Sequence, residues 1–225
     1  MELKPLRAVI YGATGLAGSG VLQECIKHPM IGHVTAITRR SINIEHDKLT
    51  EIKIDNFLDY SNILSRIKGH DVCFYCLGVS QIKVPDAKMY REITYDYTMA
   101  AAEALIKANT SLTFCFLSGM GTDQSGKSRY MWARVKGETE KDLGKLPIKK
   151  LYNFRPGYIH PVGGIKHSLK MGRIIGPLFP ILNKLFPNGV TTTEEFGLAM
   201  INSAIYGFEK SILENKDIRA LANRQ

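Results

Sequence analysis

The sequence predicts an α/β fold, a doubly wound parallel sheet flanked by helices, and three observations carry that prediction. Short apolar runs alternate with helically patterned segments as far as about residue 155, the order that builds a parallel sheet covered on both faces. The first apolar run passes straight into a glycine-rich turn and then into a helix. The length of 225 residues, 44% of them hydrophobic and 23% charged, suits one α/β domain over 1–225 with a sizeable core.

The elements follow in order. Strands are expected at Ala8–Tyr11, Val34–Ile37, Glu51–Ile54, Val72–Cys76, Leu112–Leu117 and Leu151–Phe154. Between the first two, Val21, Leu22, Cys25 and Ile26 fall on one helical stripe that His28-Pro29 ends. Between the fourth and fifth, Ile93, Tyr97, Ala100, Ala101, Ala104, Leu105 and Ala108 form a longer stripe, flattened by alanine for close packing on a sheet. After Arg155-Pro156-Gly157 the alternation stops. The stretch 165–190 mixes Gly, Pro, Lys and apolar residues and is expected to be a small carboxy-terminal lid or substrate segment. Pro177 and Pro180 argue against a spanning helix there. Thr191-Thr192-Thr193-Glu194-Glu195 then offers a capping box to a helix carrying Leu198, Ile201, Ala204 and Ile205.

The formal charge of +9 would attract nucleotides, nucleic acid or an anionic membrane surface. Its basic residues are scattered, with no arginine-rich arm or aromatic stacking motif, so a specific nucleic-acid role is not expected. No continuous 18-residue apolar segment is present, so neither is an integral membrane protein. Cys25, Cys73, Cys76 and Cys115 lie in apolar stretches, as reduced thiols do. Cys73 and Cys76 form a C-x-x-C, but three positions apart on a strand they face opposite ways, which argues against metal or redox chemistry. With no secretory signal read at the amino terminus, the expected compartment is the cytoplasm.

The chemistry concentrates in Gly12-Ala13-Thr14-Gly15-Leu16-Ala17-Gly18. At a strand-to-helix turn, missing side chains permit the tight bend and let the backbone approach a pyrophosphate. The helix's free N–H groups and positive end face the anion. The G-x-x-G-x-x-G spacing departs by one residue from the generic dinucleotide fingerprint, yet its context is that of a Rossmann-type fold. Some twenty residues on, where selectivity for NAD would place an acid, the chain has Thr38-Arg39-Arg40. A guanidinium can offer paired charge-assisted hydrogen bonds to a 2′-phosphate, so the expected cofactor is NADP(H), with Arg39 as the main reader.

With GATGLAG, TRR, the LSG after the fifth strand, VKGETE and RPG in view, nearly the whole chain resembles the short-chain dehydrogenase/reductase superfamily. More narrowly, it is similar to the atypical group containing small bacterial NAD(P)-dependent epimerase-like proteins and the human Tat-interacting oxidoreductase. The resemblance implies that Asp55 and Asn56 meet the adenine, that Leu77, Gly78 and Val79 pack on the adenosine half, and that Pro156, Gly157, Tyr158 and Ile159 lie beside the nicotinamide ribose. It also implies a catalytic Ser118 that holds the substrate oxygen and a Lys136 that orients the ribose. In the family a tyrosine precedes that lysine by four residues. Here the position is Trp132, and an indole has no titratable proton to exchange. Tyr130, six before the lysine, can serve only if the helix starts after it. Tyr158 and His160 are further candidate acids.

Three functions compete at this level. The first is an NADPH-dependent reductase of a small carbonyl or enone. The second is a redox sensor or regulatory module that binds NADP(H) without turnover and acts on a protein partner. The third, a nucleotide-sugar epimerase, has only about 70 residues after the sixth strand in which to build a sugar-nucleotide domain.

Overall fold

The computed structural model describes residues 4–165 and 176–224. Seven strands form a parallel sheet: β1 (Leu6–Tyr11), β2 (Ile31–Thr38), β3 (Leu49–Lys53), β4 (Val72–Tyr75), β5 (Thr113–Leu117), β6 (Lys150–Arg155) and β9 (Ile212–Glu214), in the spatial order β3-β2-β1-β4-β5-β6-β9. The order reverses between β1 and β4, the switch point that opens a crevice at the carboxyl ends of the strands. Each of the six strands read from sequence is present with its ends within two residues, except that β2 begins three residues before the expected Val34. Two short strands, β7 (Tyr158–His160) and β8 (Val190–Thr192), pair separately.

Alternation along each strand divides the core. Ala8 and Ile10 of β1 face α1 (Leu16–Lys27), where Val21, Leu22 and Cys25 lie buried. Val9 and Tyr11 point the other way, toward Ala101 and Leu105 of α3 (Tyr97–Ala108) and Leu143 of α4 (Met131–Leu143). Cys73 and Cys76 fall in opposite layers, as their spacing requires, and the four thiols are free and buried. Within the long stripe, α2 (Ala87–Arg91) passes through a π-helical turn, Glu92–Asp96, before α3 begins. Such turns insert one extra residue per turn and re-aim the side chains that follow. Here Ile93 and Tyr97 are turned into the crevice.

In the stretch expected as a lid, positions 166–175 lie outside the described residues. The remainder forms α5 (Phe179–Leu185), a short turn and β8, and no described residue of 176–190 lines the crevice. The predicted capping box opens α6 (Thr193–Tyr206): Thr192 accepts from the Glu195 amide, and the Glu195 carboxylate accepts from the Thr192 amide. Beyond it, β9 joins the sheet beside β6 and α7 (Asn215–Ala222) closes the described chain. No described helix is long and apolar enough to cross a membrane.

Candidate functional site

The glycine turn is built by three glycines with three different tasks. Gly12 has φ +75°, and a Cβ there would stand 2.5 Å from the Cys76 carbonyl oxygen, so the turn and the end of β4 meet only without a side chain. At Gly18 a Cβ would collide with the Gly12 backbone, because α1 packs directly on the end of β1. Gly15 differs: its backbone is extended, and a Cβ would meet only the Gly12 oxygen at 3.2 Å. What its missing side chain clears is the space above the turn. Gly15 is also the N-cap of α1, which has no side-chain cap and no acid in its first turn. The helix's first N–H groups therefore face the crevice with no intrahelical partner.

Three cavities sharing walls run along that crevice. The first, about 230 Å³, is bounded by Gly12, Thr14, Ile37 and Thr38 on one side, by Arg39 and Arg40 at its mouth, and by Phe57, Leu77, Val79, Ile93 and Tyr97 opposite. Phe57 and Tyr97 stack with ring centroids 5.6 Å apart. The second, about 630 Å³, takes in Thr14, Gly15, Leu16 and Ala17, then Leu77, Gly78 and Val79, then Ser118, Lys136, Pro156, Gly157 and Ile159. The third, about 470 Å³, lies between Val79–Ile82, Tyr90, Trp132 and Lys136. Among the described residues no carboxylate lines any of the three, whereas Arg39, Arg40, Lys83 and Lys136 do.

Most residues singled out from sequence thus converge, and the exceptions have structural reasons. Gly18 sits beneath the turn rather than on the cavity wall. Asp55 and Asn56 are exposed and line none of the three cavities, and the Asn56 side chain instead accepts from the Leu58 amide at 2.9 Å. The wall they were expected to form is made by the buried ring of Phe57. On β7 only Ile159 lines the crevice. Its neighbours Tyr158 and His160 are absent from that wall, as strand alternation requires, and His160 stacks on Phe179 with ring centroids 4.1 Å apart. Ser80, Lys83, Tyr90, Ile93 and Tyr97 line the crevice without having been anticipated. None belongs to a sequence motif, and only chain crossing brings them there.

At the other end Ser118 is buried, its hydroxyl 2.9 Å from that of Thr122. Thr122 spends its proton on the Gly119 carbonyl, so Ser118 is the donor of the pair. Lys136 donates to the carbonyls of Leu117 and Ser118 at 2.9 and 3.1 Å and lies over the Phe116 ring. Burial pushes its ammonium down to about 8, against the opposing pull of Glu140 one turn along α4. Trp132, one turn before Lys136, shares its face of the helix. The indole lies over the Gly119–Gly121 loop, close enough that a Cβ at Gly121 would touch it at 3.6 Å.

Tyr130 does lie just outside α4, as its N-cap, so the condition for its use is met. Yet its side chain is 49% exposed, lines none of these cavities, and accepts a hydrogen bond from Arg129 at 2.7 Å. Tyr130→Phe is therefore expected to leave any NADPH oxidation within about twofold of the parent. A stopped-flow rate reduced tenfold or more would show that the phenol swings inward to act.

No family model matches the chain. The rat protein HTATIP2 is 32% identical over 152 residues, 67% of this chain, and the match spans 61% of that protein's length. The mitochondrial protein FMP52 of Candida albicans is 30% identical over 169 residues, 74% of this chain and 72% of FMP52. Among solved structures, Gre2 in complex with NADPH, also from Candida albicans, superposes with a TM-score of 0.71 at 15% identity, over 93% of this chain and 78% of Gre2. That likeness is one of fold. The mitochondrial designation of the fungal relative overturns the cytoplasmic expectation. A mitochondrial address is written in amphipathic basic segments, a signal different in kind from the apolar secretory pattern on which that expectation rested. With glycine turn, switch-point crevice and these relatives together, the chain belongs to the HTATIP2 and FMP52 group of the atypical short-chain dehydrogenase/reductase superfamily.

Proposed function

We propose that the protein binds NADP(H) and acts as an oxidoreductase on a small carbonyl or enone. The observation that carries this reading is one crevice at the switch point, free of carboxylates among the described residues, joining the bare N-terminus of α1 to two arginines at one end and to Ser118 and Lys136 at the other. The donor set fits a polyanionic dinucleotide. The α1 N–H groups and the open space over Gly15 receive the pyrophosphate, Arg39 and Arg40 the 2′-phosphate, and Phe57 with Tyr97 the adenine. A bound dihydronicotinamide supplies hydride. Pro156, Gly157 and Ile159 wall its ribose side, Lys136 donates toward the ribose, and Ser118 turns its proton from Thr122 to the substrate oxygen.

Within this reading NADPH binds more tightly than NADH, with Arg39 as the main cause. A hydrogen bond to a charged group contributes about 1.5–3 kcal/mol. Both arginines are exposed, which weakens the contact, so the expected preference is roughly tenfold. Thr38 holds the backbone of Arg40 by accepting from its amide at 3.2 Å and donating to its carbonyl at 2.6 Å, which sets the direction in which the pair leaves the strand. Calorimetric titration of the parent and of Arg39→Ala with both cofactors tests this. Equal binding of NADH and NADPH by the parent, or an equal loss of both in the variant, would remove the phosphate assignment.

The indole at 132 and the outward Tyr130 favour a second reading, a sensor that binds NADP(H) without turnover. Bound NADPH whose fluorescence stays constant against a broad carbonyl panel would establish that reading, and decay with one class would exclude it.

A further inference from the structure

We propose that the cavity beside Trp132 seats a flat, uncharged, two- or three-ring acceptor of the quinone class, an inference that rests on the cofactor reading above. The cavity is an open cleft of about 470 Å³ walled by Trp132, Tyr90, Val79 and Ile82, with Gln81 beside them and Ser80 and Lys136 on the side it shares with the cofactor cavity. Two aromatic and two aliphatic side chains suit a planar apolar body of that size. Among the described residues no carboxylate lines the cavity to hold an ammonium group, and no guanidinium lines it to clamp the pyrophosphate of a nucleotide sugar. The cation that does line it, Lys136, already donates to two backbone carbonyls and adds its positive charge at the mouth.

The chemistry of position 132 points the same way. Hydride addition to a simple ketone leaves an alkoxide, a base of about the strength of hydroxide, which needs an acid at once. A quinone accepts hydride differently. One of its oxygens takes the hydrogen with both electrons as a dihydronicotinamide C–H bond breaks, the ring becomes aromatic, and the other oxygen is left as a phenolate with pKa about 10. That phenolate takes its proton from water after release, and the nicotinamide leaves oxidised. The Lys136 ammonium stabilises the oxyanion as it forms, so no phenol is required of the protein.

Trp132 is the single tryptophan of the chain, so emission excited at wavelengths where its ten tyrosines do not absorb reports on the surroundings of this one indole. NADPH bound alongside lowers that emission by energy transfer, which reads the cofactor separately. In the NADP+ complex, menadione is expected to quench Trp132 saturably. The affinity should be about tenfold weaker in Ile82→Asp, a position 72% exposed in the free protein and therefore tolerant of the change. Mixed with the NADPH complex, menadione should oxidise one equivalent of cofactor per site. Quenching that rises linearly, as for free N-acetyltryptophanamide, overturns the proposal. So does saturable quenching that ignores Ile82→Asp, or menadione that binds and leaves NADPH unoxidised. If energy transfer to NADPH persists in those cases, only the quinone assignment falls. If it is absent, the cofactor reading falls as well.

Discussion

Replacing Gly15 with valine is expected to weaken NADPH binding by more than about a hundredfold, equivalent to about 3 kcal/mol, while the protein still folds. The extended backbone of Gly15 is one that valine adopts readily, and a Cβ would meet only the Gly12 oxygen, at 3.2 Å. The cost to the fold is the loss of a favourable N-cap residue, about 1 kcal/mol. The cost to binding is larger, because the branched side chain fills the space over the first turn of α1 and separates phosphate oxygens from the N–H groups. Gly18→Ala is the contrasting variant. Its methyl would fall on the Gly12 backbone, so it should lower thermal stability whether or not cofactor is present. Fluorescence titration beside a thermal melt distinguishes the two. A Gly15→Val protein that melts normally and binds NADPH like the parent would move the pyrophosphate elsewhere.

Glu140→Ala should be the most destabilising substitution at a charged residue described here, costing about 3–5 kcal/mol. Glu140 on α4 is buried beneath Arg155 at the end of β6. Its carboxylate accepts from the Arg155 Nε at 2.9 Å, from a terminal guanidinium nitrogen, and from Gln124 at 2.7 Å. Arg155 is itself only 13% exposed, so removing its partner strands a charge away from water. For a chain of this length the melting temperature should fall by roughly 10 °C. The pair also ties the helix of Lys136 to the strand that runs into Pro156 and Gly157, so cofactor binding should weaken together with stability. Arg91 and Glu138 form the control: both are exposed, and Glu138→Ala should cost no more than about 1 kcal/mol. Chemical denaturation of both variants measures the difference. Equal, small losses would show that Arg155 finds another acceptor, its 3.3 Å contact with Glu214 being the available one.

Much of the architecture was legible because its signals are local. The apolar runs of β1, β2, β4, β5 and β6 mark strands buried on both faces, and the Thr192 and Glu195 spacing marks the start of α6. β9 escaped notice because Ile212-Leu213-Glu214 is three residues long, too short for any periodicity, and becomes a strand only by pairing with Asn153–Arg155. The π turn escaped for a related reason. The stripe from Ile93 to Ala108 reads as one continuous helix, and the extra residue at Glu92–Asp96 sits among contacts to α4, where Arg91 reaches Glu138 and Tyr95 reaches Asp142.

By itself the sequence determined the strand-turn-helix with its bare helix N-terminus, the arginines in place of an acid after β2, and the absence of a phenol four residues before Lys136. These are matters of residue type and short spacing, which a chain carries before it folds. The tertiary structure alone decided which groups share a cavity with them. It put Phe57 where Asp55 and Asn56 were expected, turned Tyr130 outward beside Arg129, and brought Ser80, Tyr90 and Trp132 from three separate segments to one wall. Such walls form where strand ends and the loops after them meet across the sheet. Their membership depends on strand order and on the offset of about a quarter turn that the π segment introduces, neither of which leaves a local trace in the sequence.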